Sequence, residues 1–176
     1  MKKYLKYYFL EDYLFKTVNK NFHENKYLTS EEFLAIIIWK RNASKTKVVE
    51  GVNTSDKSIR VITSKIYESP SREMKLEILL GIKNIGIAIA SAILTVLYDQ
   101  EFTVFDARAR NSLQAIGVQI KGSPDNKPED YFSYVDLCKK QAEKYKLSLR
   151  DFDRCLWAMN FYIGEGGLKE IAETLK

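Results

Sequence analysis

Residues 80–97 read Leu-Gly-Ile-Lys-Asn-Ile-Gly-Ile-Ala-Ile-Ala-Ser-Ala-Ile-Leu-Thr-Val-Leu. They predict the end of one helix, a tight turn over Gly81–Gly86, and the most apolar helix of the chain, running to about Tyr98. Asn84 tolerates a left-handed backbone better than any residue but glycine, and Gly86 demands no room for a side chain. Ala88, Ala90, Ser91 and Ala92 are small enough to let the second helix pack closely. The amides at that helix's start would then point outward, where a phosphate can be bound. The apolar run 85–97 is interrupted by Gly86, Ser91 and Thr95 and is too short to cross a bilayer. It therefore reads as a buried helix.

The segments on either side read as helix too. Thr29 and Glu32 make a capping box ahead of Phe-Leu-Ala-Ile-Ile-Ile-Trp, so a helix is expected from near Ser30 to about residues 40–42. The polar, basic segment 42–47 (Asn-Ala-Ser-Lys-Thr-Lys) suits a surface loop. Ile59, Ile62, Ile66 and Tyr67 recur at helical spacing, opened by Thr54, Ser55 and Asp56. Residues 72–80 start another helix after Ser69-Pro70-Ser71. Asp106 stands where an N-cap belongs, ahead of a helix over 107–116. Residues 117–128 hold two of the three prolines and predict a long loop. Helices are expected over 131–145 and after Ser148, the latter ended by Gly164, Gly166 and Gly167 before a short segment 168–175. A few N-terminal residues could be strand-like. The expectation is an all-α fold: a single compact domain of about eight helices over residues 1–176.

Composition narrows the possibilities. With 176 residues, 45% apolar and 29% charged, and only 3 Pro and 8 Gly, the chain is neither disordered nor an all-β sandwich. Lys and Arg number 28 against 23 Asp and Glu, a net charge of +5, which permits a polyanionic partner without proving one. The two cysteines, Cys138 and Cys155, cannot build a disulfide framework or a four-thiolate metal site, and both read as small apolar fillers. Lys6, Glu11 and Asp12 break any signal-peptide core at the start. A cytoplasmic protein without membrane association is expected.

The turn Ile82-Lys83-Asn84-Ile85-Gly86 resembles the helix–hairpin–helix motif, whose usual hairpin reads Leu-Pro-Gly-Val-Gly. Lys83 replaces the proline and Asn84 the first glycine. Twenty residues past Gly86, the run Thr-Val-Phe-Asp-Ala-Arg-Ala-Arg at 103–110 places Asp106 where the helix–hairpin–helix DNA glycosylase superfamily carries its catalytic Asp. Arg108 and Arg110 fall where basic residues follow it. Residues 33–44 are similar to that superfamily's first core helix and the loop that enters the minor groove, and Arg41 and Asn42 fall at its wedge. Leu-Arg-Asp-Phe-Asp-Arg-Cys-Leu-Trp at 149–157 resembles small uncharacterised members. The position where bifunctional members carry a Schiff-base lysine is Ala88, and the iron–sulfur cysteines are absent.

The resemblance implies a monofunctional DNA glycosylase, without lyase activity, that binds double-stranded DNA as a monomer, associated with the nucleoid when bound. It implies no iron–sulfur cluster, and no cofactor beyond a monovalent cation held at the hairpin. The DNA-binding residues it implies are Lys83, Asn84, Ile85, Gly86, Ile87 and Ala88 at the hairpin, Arg108 and Arg110 after the Asp, and Lys40, Arg41, Asn42, Lys45 and Lys47 upstream. The last group sits in a span with no acid between Glu32 and Glu50. Asp106 would stabilise positive charge on the sugar as the base departs and orient a water. A helix N-terminus should favour its anion, though the same position suits a plain N-cap. Trp39, Asp153 and Trp157 are candidates for a base pocket. The competing readings are core packing for Trp39 and a structural Asp151–Arg154 pair on the last segment. His23 reads as a surface residue. Two other readings of the whole chain remain: a non-catalytic helix–hairpin–helix DNA-binding protein, or a small helical protein-interaction domain.

Overall fold

The computed structural model describes residues 10–55 and 57–160. Every regular element among them is helical, and the helices of nine residues or more number eight. They group into two compact units that divide between Glu101 and Phe102. No described helix is long and apolar enough to cross a membrane.

In the first unit, α1 (Leu10–Asp12), a π-helical stretch (Tyr13–Val18) and α2 (Asn19–Asn25) follow one another without a break, ending at Lys26 with φ 67°. Then come α3 (Ser30–Arg41), a 3-10 turn (Asn42–Ser44), α4 (Lys45–Asn53), α5 (Ile59–Glu68), α6 (Arg72–Leu80) and α7 (Ile87–Leu97). The capping box at Thr29 and Glu32 forms as the sequence predicts. Helix α7 is the core: Ala90 to Leu97 are all buried, with α2, α3, α6 and the π-helical stretch packed on it. Its two hydroxyls bond back into the helix, Thr95 to the Ser91 carbonyl and Ser91 to that of Ala88, so burial strands no donor.

No glycine terminates α7. Instead the Asn19 amide donates to the carbonyls of Val96 (2.7 Å) and Leu97 (3.2 Å), and the Nε2–H of His23 donates to that of Leu97 (2.9 Å). Side chains from α2 thus satisfy carbonyls that a helix end leaves open. His23 itself is exposed, as expected, with its ring edge-on to Phe22, Tyr67 and Tyr98.

Two local expectations for this unit are corrected. The segment 42–47 is not a loop; after one 3-10 turn the chain is already helical at Lys45. Val48 and Val52, buried on one face, supply the packing that overrides weak local propensity. Nor do Thr54 and Ser55 open α5. Their hydroxyls close α4, donating to Gly51 O (2.9 Å) and Val52 O (2.7 Å), and Ser58 caps α5 by accepting from the Val61 amide.

The second unit begins with a buried, irregular lead, residues 102–105. The phenols of Tyr131 and Tyr134 donate to the carbonyls of Thr103 (3.0 Å) and Val104 (2.9 Å). Helix α8 (Ala107–Ala115) follows, then the long irregular segment, with Gly117 and Gly122 at positive φ, then α9 (Pro128–Tyr145) and α10 (Leu149–Met159). Helix α9 starts three residues before the expected 131 because Pro128 fits the first turn, where an amide is not needed. Ser148 caps α10. Cys138 is fully buried, in keeping with a filler, but Cys155 is exposed, which corrects its reading as one. The glycines at 164–167, the segment 168–175 and the N-terminal residues considered as strand lie outside the described residues.

Candidate nucleic-acid interface

Between α6 and α7 the chain turns over residues 81–86, pinned at two points. Ile82 and Ile85 are buried, and the Ile85 amide donates to Ile82 O (3.1 Å). Lys83, Asn84 and Gly86 are exposed between them. Asn84 has φ 68°, the left-handed conformation the sequence suggests for it. Gly86 has φ −98°, which any residue can adopt, and a Cβ placed on it would meet nothing within 4 Å. The protein's own packing therefore does not require glycine there; the space above it is open. The amides of Gly86, Ile87 and Ala88 have no acceptor among the described residues, and no side chain caps α7.

The turn does not stand alone. The Asn84 side-chain amide donates to the Lys47 carbonyl (2.7 Å), and the Lys83 carbonyl lies directly on Gly51. A Cβ on Gly51 would fall 2.8 Å from the Lys83 carbonyl carbon and closer still to its oxygen. Helix α4 is thus the bed on which the turn rests, and Gly51 makes that approach possible. This brings Lys47, one turn before Gly51 on α4, beside the turn that carries Lys83, whereas Lys45, two residues earlier, lies on the other side of the helix. All three are exposed, as are Arg41 and Asn42, and Arg41, Lys45, Lys47 and Lys83 make no ion pair among the described residues. Lys40 is half-buried. Trp39 is also half-buried, its ring edge-on to Phe15 at 5.7 Å, a packing role.

In the second unit, Asp106 caps α8. Its Oδ1 accepts from the Ala109 amide (3.0 Å), and the residue is partly exposed. Arg108 places its guanidinium 5.8 Å from the centre of the Trp157 ring, and Trp157 is 45% exposed. Arg110 pairs with Asp125 of the irregular segment and lies over Phe105, so its charge is shared with the protein. Asp153 is buried in an ion pair with Arg150. It falls on the inward stripe of α10, where its carboxylate meets a buried guanidinium. The exposed Asp151–Arg154 pair forms at 3.0 Å, as its structural reading has it. Arg154 and the Ser148 hydroxyl hold the Asp151 carboxyl below its ordinary range.

Burial pushes the Cys138 thiol up to about 12 and the Tyr134 phenol well above its ordinary value. Neither can serve as a nucleophile or base near neutral pH. Among the described residues no three His, Cys, Asp or Glu side chains are placed to hold a metal ion.

Sequence reasoning overlooked Gly51 and Ser58. Gly51 carried no signal of its own, because the helix around it, α4, is not announced by its sequence. No family model, characterised protein or solved structure matches the chain.

Proposed function

We propose that the chain is a duplex-DNA-binding protein whose residues 82–86 act as a helix–hairpin–helix turn. In this reading it is a monofunctional DNA glycosylase in which Asp106 assists hydrolysis of the N-glycosidic bond of a damaged or modified base. One observation carries the DNA-binding part. Three amides without acceptors lie at the start of α7, with open space at Gly86, in a turn that carries Lys83 and is bonded to Lys47 of the helix that supports it. Amides at a helix start favour an anion, and lysines without protein partners favour a polyanion. The catalytic part rests on the resemblance around Asp106 and on that residue's partial exposure.

Departure of the base leaves positive charge on the deoxyribose. A carboxylate held in place lowers the energy of that state without having to reorganise. Ala88 offers no amine at the position of the bifunctional members' lysine, so strand cleavage would follow only after alkali.

A second reading, binding without chemistry, is favoured by the Ala109 amide that Asp106 accepts, since capping alone would account for this residue. One set of experiments separates the readings. Duplex affinity should fall steeply with salt, and Gly86→Ala should weaken it while leaving the fold intact. Salt-independent binding, or none, would remove the DNA reading. Duplexes bearing a panel of lesions, developed with alkali, then test the chemistry. Asp106→Asn keeps a capping side chain and should retain affinity while losing cleavage by about 10²-fold or more. If wild type cuts no lesion, or the Asn variant cuts equally well, the binding-only reading stands.

A further inference from the structure

We propose that the cleft between residues 119–121 and α9 binds a small apolar carboxylate: one ring or a short branched chain carrying a single negative charge. The site lies wholly within the second unit and does not depend on the DNA-binding reading above.

The cleft has a volume of about 140 Å³ and opens to solvent. That is close to the size of engineered apolar cavities that take up one benzene ring. Ile120 lines it from the irregular segment, and Tyr134 and Leu137 line it from α9. The Tyr134 hydroxyl is donated to the Val104 carbonyl (2.9 Å), so this residue offers the cleft carbon and no polar group. Backbone turns fix the irregular wall at both ends. Gly117 (φ 77°) closes α8, and the Val118 amide donates to Leu113 O (2.9 Å) as the chain turns back alongside α9. Gly122 (φ 74°) ends the wall, where a Cβ would run into the Asp130 carboxylate and where Asp130 accepts from the Ser123 amide (2.7 Å). The wall is fastened before and behind, so the cleft is formed before anything enters it.

Charge sets the chemistry of the occupant. Lys121 lines the cleft, and Lys140 stands one turn beyond Leu137 on the stripe of α9 that also carries Ser133. Both lysines are exposed and make no ion pair among the described residues, Asp136, four residues before Lys140, included. The acid on that stripe is Glu129, at the opposite end, one turn before Ser133. Gln119 adds an amide at the rim. An apolar floor disfavours a fully hydrated ion, and two ammonium groups without carboxylate partners disfavour a cation. What fits is an anion with an apolar body. The Lys121 stem can cover that body while its ammonium stays in water. A space this small excludes a nucleotide or a long fatty chain.

The test titrates the full chain, labelled with nitrogen-15, with phenylacetate, with the neutral phenylacetamide, and with acetate, which lacks the apolar body. Phenylacetate should shift the backbone resonances of residues 119–121 and 133–137, with a dissociation constant on the order of 1 mM for so few atoms. Phenylacetamide should bind roughly three- to tenfold more weakly, the scale of one or two exposed ion pairs. Acetate should leave these residues unmoved at the same concentrations. Replacing Lys121 and Lys140 together by Met keeps both stems and removes both charges, and should bring acid and amide to within about twofold of each other. Leu137→Trp, which fills the cleft from a half-buried position, should abolish the shifts from both. Thermal melts establish that the variants fold, and the exposed lysine pair decides the matter if Leu137→Trp does not. The site is refuted if wild type binds acid and amide equally, or if the lysine variant keeps the preference. It is refuted equally if the shifts fall elsewhere, or if phenylacetate produces none by roughly 20 mM.

Discussion

Replacing Gly51 by Ala should destabilise the protein, against the usual sign of that change. In a helix interior, alanine ordinarily gains about 0.5–1 kcal/mol over glycine. Here the new methyl would sit 2.8 Å from the carbonyl carbon of Lys83, with the oxygen nearer still. What it meets is backbone, not the tip of a flexible side chain. The turn would have to lift off α4, stretching the Asn84–Lys47 bond (2.7 Å) and disturbing Ile82 and Ile85, which are 4% and 5% exposed. Overpacking of this kind costs about 1–3 kcal/mol, and an immovable neighbour places it in the upper part of that range. The net loss is then roughly 1–2 kcal/mol, a fall in melting temperature of about 2–8 °C for a chain of this size. Urea unfolding of wild type and variant measures it directly. If Gly51→Ala proves as stable as wild type, or more so, the turn does not rest on α4, and the placing of Lys47 beside Lys83 loses its basis.

Asn84→Ala should cost about 1–2 kcal/mol, because alanine resists the left-handed conformation. Asn84→Gly should cost less, forfeiting only the amide's bond to Lys47; the difference between the two in urea unfolding isolates the backbone part. Asp153→Ala should be the most disruptive single change in the second unit, about 3–5 kcal/mol, since Arg150 would keep a buried charge with its carboxylate gone. A thermal melt falling by less than about 5 °C would contradict that assignment. A thiol reagent should modify Cys155 at once and Cys138 only on unfolding. The same buried thiol sets an alkaline limit. Its pKa rises from 9.0 unfolded to about 12 folded, so only the unfolded chain releases the proton between those values. Its contribution is whole below pH 9 and declines above it by about 1.4 kcal/mol per pH unit. Cys138→Ala should make the alkaline decline of stability shallower; an unchanged slope would show the thiol ionising freely in the folded protein.

The helix boundaries that carry their own side-chain signals were legible in the sequence. Thr29 with Glu32, Asp106 and Ser148 each cap the helix they announce, because a short oxygen-bearing side chain bonding an amide two or three residues on is a local event. Helix α4 was not legible. Its residues Lys-Thr-Lys-Val-Val-Glu-Gly-Val-Asn carry β-branched side chains and a glycine, and it is helical because Val48, Gly51 and Val52 are buried against other elements. The same limit separates the two halves of the candidate site. Asn84's backbone conformation could be foreseen from its type and neighbours, whereas its bond to Lys47, thirty-seven residues away, could not. Asp153 shows the same limit: the run 149–157 alone does not reveal that its carboxylate pairs with Arg150 on the buried stripe of α10.

The way α7 is finished bears on how this chain assembles. Its final carbonyls are completed by Asn19 and His23, more than seventy residues earlier in the sequence. As the ribosome delivers the chain, those two side chains emerge long before the helix they will close. Until α2 docks, the last turn of α7 has no glycine of its own to stop it and would fray. A fragment beginning after residue 23 would therefore keep the turn residues 82–86 yet lose the far end of the helix that carries them. Circular permutation, which retains every residue, offers a gentler way to move the N-terminus than truncation.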